Sequence, residues 1–209
     1  MFTVAIVGVH GVGKTATAAV LEELGYRYVK VEAIDFAQPL PPTHRQIFFF
    51  SKYVHDFVKE MYTPTKKPKV FDSHPLVVVP YTEYWMRKGG EPKERIHELT
   101  ESLKQILRNL PKVSLLVVLK PRKLSTVVER ISYRQRFNSR EELDLGYISF
   151  INQGIISLAQ ELGPSLTHEV LMIEAEKEMD RRAREINEYL LNSKPLSSTV
   201  VSQPTQESS

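Results

Sequence analysis

The chain has 209 residues, 42% hydrophobic and 25% charged, which fits one globular domain with a sizeable core. It has no cysteine, so disulfides and thiolate metal sites are excluded. A net charge of +3 and a pI of about 9.0 suit an anionic small substrate, and no long Lys/Arg block points to nucleic acid.

The first strand begins at once, leaving no room for a signal peptide, and it opens the stretch around which the chain is organised. Val4, Ala5, Ile6 and Val7 form the short apolar run of a buried parallel strand. Gly8, Val9, His10, Gly11, Val12, Gly13, Lys14 and Thr15 then match G-x-x-x-x-G-K-[ST], the phosphate-binding P-loop. Residues 15–24 read as a helix ending before Gly25. The glycines let the loop turn its N–H groups inward as an anion nest, and the helix adds its positive end. Lys14 can reach the β- and γ-phosphates, and the Thr15 hydroxyl can ligate Mg²⁺. His10 reads as a spacer within the motif.

Residues 26–31 (YRYVKV) predict a second strand, with Glu32 at its end and Asp35 just beyond. A proline loop leads into a helix over residues 44–61, whose apolar face is Ile47, Phe50, Val54, Phe57, Val58 and Met61. Residues 69–72 (KVFD) form a short third strand, followed by Ser73 and His74. Residues 76–85 contain Pro80 and read as a loop entering a helix. Residues 94–109 form an amphipathic helix with Ile96, Leu99, Leu103, Ile106, Leu107 and Leu110 buried. Residues 113–119 (VSLLVVL) form the clearest buried strand, and residues 123–137 a helix that turns basic at its end. Residues 145–162 are helical and stop at Gly163 and Pro164. A last strand (residues 169–173), a closing helix (176–191) and a disordered Ser/Thr/Pro-rich tail (193–209) complete the chain.

Strands alternating with helices predict an α/β, three-layer P-loop NTPase fold: five parallel strands with helices on both faces, in one domain over residues 1–192. Ligands gather at the carboxyl ends of such strands. That rule selects Gly8 to Thr15, Glu32 to Asp35, Asp72 to His74, and Lys120 to Arg122. Asp72 is the candidate Mg²⁺ acid, direct or through water. Glu32, with Asp35 as its substitute, would orient an acceptor hydroxyl as general base. Arg130, Arg134, Arg136 and Arg140 form a candidate lid over about residues 130–144, its planar guanidinium groups suited to a loose phosphoryl transition state. On the alternative that this stretch is only a solvated basic helix, Glu129, Glu141 and Glu142 are its surface partners. Gln46, Phe49, Phe50 and Tyr53 can read and stack a base. Tyr81, Tyr84, Trp85 and Arg87 can wall the acceptor pocket. A guanine-reading N-K-x-D is absent, which argues against a small GTPase.

The layout resembles the thymidylate kinase and deoxynucleoside kinase superfamily. Residues 111–136 (PKVSLLVVLKPRKLSTVVERISYRQR) are similar to its fourth strand, following helix and Arg-rich lid. Residues 70–73 (VFDS) are similar to its acidic motif, with Ser73 where Arg is usual. Kinases of the nicotinamide-riboside-kinase type are similar too, through Glu32, Gln46 and Asp72 with Ser73. Both resemblances imply ATP- and Mg²⁺-dependent phosphoryl transfer to a small nucleoside or nucleotide acceptor. The expected chemistry assigns Lys14, Glu32, Arg134 and Arg136 to catalysis and Thr15 with Asp72 to the metal. The P-loop residues take the nucleotide, and Gln46, Phe50, Tyr84 and Arg87 take the acceptor. No membrane partner is expected, nucleic acid is disfavoured, a homodimer remains open, and a cytoplasmic location is the default. Two rivals stand beside this reading: a regulatory nucleotide-binding ATPase without a small acceptor, and a nucleic-acid end kinase.

Overall fold

A strand buried on both faces needs a continuous apolar run, and residues 4–7 of β1 (Thr3–Val7) and 115–119 of β4 (Val113–Lys120) supply it. The computed structural model describes residues 2–31, 40–134 and 140–192. Its five strands are all parallel, in the order β2-β3-β1-β4-β5, with β2 at Arg27–Val29, β3 at Lys69–Phe71 and β5 at Thr167–Glu174. β1 lies between β3 and β4, so the loop leaving it opens at mid-sheet.

The path from β1 to β2 runs one way along the sheet, and every later crossover runs back. Right-handed connections therefore put α1 (Lys14–Glu23) on one face and α2 to α6 on the other. α7 (Met179–Asn192) packs against α1. On the opposite face α3 (Val78–Lys88) touches α2 (Pro42–Tyr62), α4 (Lys93–Arg108) and α6 (Leu145–Leu166), and α5 (Leu124–Arg134) leans on α6.

Several expected boundaries move, each for a local reason. α6 does not stop at Gly163 and Pro164 but runs through them to Leu166. Pro164 is exposed, so the carbonyl it strands can face water, and Lys112 Nζ donates to the Pro164 carbonyl at 2.7 Å. Pro80 does not hold residues 76–85 open as a loop. A 3₁₀ turn (Pro75–Val77) leads straight into α3, and Pro80 occupies the first turn, where the N–H would have no helical partner. Pro80 also packs against Gly154 of α6, where a Cβ would come within 2.6 Å of its ring. Ile47 and Ile106, expected on buried faces, are exposed. The tail beyond residue 192 lies outside the described residues. No described helix is long and apolar enough to cross a membrane.

Candidate functional site

Gly13 caps α1 in the left-handed conformation (φ 100°), which a side chain would strain. Gly8 meets a second constraint, since a Cβ there would lie 2.9 Å from the Leu119 carbonyl oxygen of β4. The loop between them curls around the side chain of Lys14, whose Nζ donates to the carbonyls of Gly8 (2.9 Å) and Val9 (3.1 Å). Burial lowers the Lys14 pKa to about 8, while Asp72 and Glu142 pull it back upward.

Asp72 follows β3 and is 5% exposed. It accepts three hydrogen bonds: from Thr15 Oγ1 (3.1 Å), Tyr28 OH (2.7 Å) and the Val31 N–H (2.9 Å). The structure thus brings the hydroxyl that opens α1 to the carboxylate that ends β3. Tyr28 plays no part in the sequence-based expectations. Its pKa is raised by burial first and by its bond to Asp72 second, so it stays a donor. Tyr53 is pushed up to about 12 by burial and by the Asp72 and Asp56 charges.

A cleft of about 240 Å³ lies over the loop, lined by His10, Gly13, Lys14, Thr15, Arg134 and Glu142, among others. Glu142 is a correction to the sequence reading. It is 5% exposed in a 3₁₀ turn (Arg140–Leu143) and faces the cleft, not solvent. Its charge acts on Lys14, Tyr81 and Tyr147. Burial foremost raises both tyrosine pKa values, which keeps their hydroxyls protonated. The His10 ring packs tilted against Tyr81 with centroids 5.1 Å apart, and burial and Lys14 lower its pKa to about 3, so it is neutral. A second cleft, of about 580 Å³, continues past Gly13 and Ala16 between Arg130, Arg134 and residues 175–180.

The other expected residues fall in different places. Arg134 is exposed and lines both clefts. Gln46 is buried on α2, and Phe50, at 3% exposure, belongs to the core rather than to an open stacking surface. Tyr84 sits in an aromatic cluster, its ring 4.6 Å from Tyr147 and 5.7 Å from Phe150. Arg87 lies away from the loop, paired with Glu83 and set over Phe150. Glu32, Asp35 and Arg136 lie outside the described residues. Among those described, no group of three or more His, Asp or Glu side chains gathers as a metal cage. One hydroxyl and one carboxylate side by side suit Mg²⁺, which takes few protein ligands and completes its shell with water and phosphate oxygens.

No family model matches this chain, and no curated protein is similar to it in sequence. Solved structures do match it in three dimensions. Deoxyadenosine kinase from M. mycoides with bound dATP matches with a TM-score of 0.72 and 17% identity, over 91% of this chain and 100% of that one. The same kinase with the products dCMP and dCDP gives 0.67 at 16% identity, over 91% and 99%. With bound dCTP it gives 0.61 at 17% identity, over 91% and 99%. This chain therefore has the P-loop α/β fold of the deoxynucleoside kinases.

Proposed function

We propose that the chain is an ATP–Mg²⁺-dependent kinase that phosphorylates a hydroxyl of a small nucleoside-like acceptor. The observation that carries this reading is the cleft lined by Lys14, Thr15 and Glu142, with Asp72 held beneath it by the Thr15 hydroxyl. The resemblance to a deoxyadenosine kinase with nucleotides bound supports it.

The P-loop amides and Lys14 take the β- and γ-phosphates, and the base extends into the larger cleft beside Arg130. Thr15 and Asp72 are the residues that would hold Mg²⁺, which when bound neutralises charge on the phosphate oxygens. The acceptor binds on the side of the smaller cleft that Glu142 lines, where the carboxylate accepts from sugar-type hydroxyls. In the transfer step a bond forms between the acceptor oxygen and the γ-phosphorus as the bond to the β–γ bridging oxygen breaks, releasing ADP. Glu32 adjoins Val31, whose N–H is held by Asp72. We assign Glu32, or Asp35, the acceptor proton, and assign Arg134 and Arg136 the charge of the passing phosphoryl group. Residues 1–192 form the kinase domain in this reading.

An ADP-release screen over nucleosides, nucleoside monophosphates and nicotinamide riboside tests the proposal. One acceptor class should accelerate release and gain one phosphoryl group. Slow hydrolysis indifferent to every acceptor would favour the regulatory ATPase instead.

A further inference from the structure

One buried cation plays no part in the chemistry above. Arg182, in the first turn of α7, is 3% exposed. Its NH1 group donates to the Val12 carbonyl at 3.2 Å, and its Nε has no partner among the described residues. The guanidinium also lies against Gly13, where a Cβ would come within 2.9 Å of NH1 and 3.0 Å of NH2. The glycine at position 13 thus serves both the left-handed turn and the close approach of this group.

We infer that Arg182 is a positioning residue for the phosphate nest: by holding the Val12 carbonyl from the α7 side, it fixes which way the Val12–Gly13 peptide faces. The C=O and N–H of a trans peptide point in opposite directions. No described residue has a cis peptide bond. Pinning the carbonyl toward α7 therefore turns the Gly13 N–H away from α7, where it can meet phosphate. This peptide lies between Gly11 and Gly13, whose backbones resist rotation least. A flipped plane would present a carbonyl to the polyanion in place of a donor. The arrangement opposes stability, since burial and nearby Arg130 both lower the Arg182 pKa, with only Glu176 acting the other way. An incoming polyphosphate supplies the missing negative charge.

The inference rests on the proposed nucleotide site, and its test keeps the two apart. Calorimetry compares the wild type with Arg182→Met, using ATP with Mg²⁺, inorganic tripolyphosphate, and adenosine. Arg182→Met should weaken ATP and tripolyphosphate by the same factor, about tenfold or more for a charged hydrogen bond, and leave adenosine unchanged. Arg182→Lys, which keeps the charge and a donor, should recover most of the loss. If Arg182→Met does not fold, Arg182→Gln replaces it; its neutral amide keeps one donor, so it should weaken ATP and tripolyphosphate by an equal but smaller factor. Wild-type tripolyphosphate affinity in the folded variant, even with a lower Tm, would reduce Arg182 to a packing role and overturn the inference. A loss confined to ATP and adenosine would overturn it too, making Arg182 a base contact. A wild type that binds neither ATP nor tripolyphosphate would remove the nucleotide site itself, and the clamp with it.

Discussion

Asp72→Asn separates the folding role of this residue from its chemical role. The carboxylate accepts from Thr15, Tyr28 and Val31 at 3.1, 2.7 and 2.9 Å. Asparagine keeps one oxygen, enough for the Val31 N–H. Its amide NH₂ then faces the two hydroxyls, which can rotate to accept. All three charge-assisted hydrogen bonds thus become neutral, a loss of about 1 kcal/mol each, so folding weakens by roughly 3 kcal/mol. A domain stable by about 5–15 kcal/mol survives that. Activity should fall in the molecules that remain folded, because losing the proposed metal-holding carboxylate costs about a hundredfold or more, roughly 3 kcal/mol of transition-state stabilisation. The Tyr28 pKa should also drop, since Asp72 is the second cause of its elevation. The assay is ADP release against Mg²⁺ concentration, paired with thermal unfolding and ultraviolet titration of the tyrosines. If the folded variant turned over within about threefold of wild type at the same Mg²⁺ midpoint, the metal assignment would be wrong.

Three further outcomes follow from the same geometry. Arg134→Ala should lower kcat by about 10³-fold while ATP affinity changes little, as single-turnover kinetics would show, because the role proposed for Arg134 is to meet transition-state charge. Lys14, with its pKa lowered to about 8 by burial, should lose its proton in the empty protein as pH rises past that value. ATP affinity should then fall about tenfold per pH unit, a dependence absent in Lys14→Met. The same shift has the opposite sense for folding: the unfolded chain keeps the lysine proton to higher pH, so this group's penalty on the empty fold is relieved from about 8 toward 10.5. His74 is fully buried, and burial lowers its pKa from 6.5 to about 3. The unfolded chain takes up that proton first, so stability should fall with acidification across this interval, by at most about 1.4 kcal/mol per pH unit for one group. Denaturant melts of His74→Leu should show a shallower slope than wild type, and an equal slope would contradict the assignment.

What was legible in the sequence was chemistry confined to a few adjacent residues. A phosphate nest needs its glycines, its lysine and its hydroxyl in one contiguous turn, so Gly8 to Thr15 declare themselves. Asp72 is legible at one remove, as the acid that ends an apolar run. The alternation of strands and helices carries the fold for the same local reason. What was hidden depends on contacts between distant segments. Arg182 reaches Val12 across 170 residues, and nothing in the run Asp180-Arg181-Arg182 distinguishes it from a solvated basic turn. Glu142 follows another glutamate in a charged stretch and looks like surface until the α5–α6 connection folds it over Lys14. Lys69 misleads in the opposite sense. It reads as a strand's polar start, yet it is fully buried and caps the end of α2 through the carbonyls of Glu60, Met61 and Thr63.

These contacts also indicate which part of the site changes when a nucleotide arrives. The loop is held on one side by Arg182 at Val12 and crowded on another by Tyr81 against His10. Thr15 is held by Asp72, which Tyr28 and Val31 hold in turn. Lys14 differs, because its two partners are carbonyls of the loop it serves. Those bonds satisfy a half-buried cation, and a phosphate oxygen, being charged, would be the stronger acceptor. In the proposed site, binding would therefore exchange two neutral acceptors for anionic ones and require mainly a rotation of one flexible side chain. A loop built this way meets its ligand almost preformed and loses little backbone entropy in doing so.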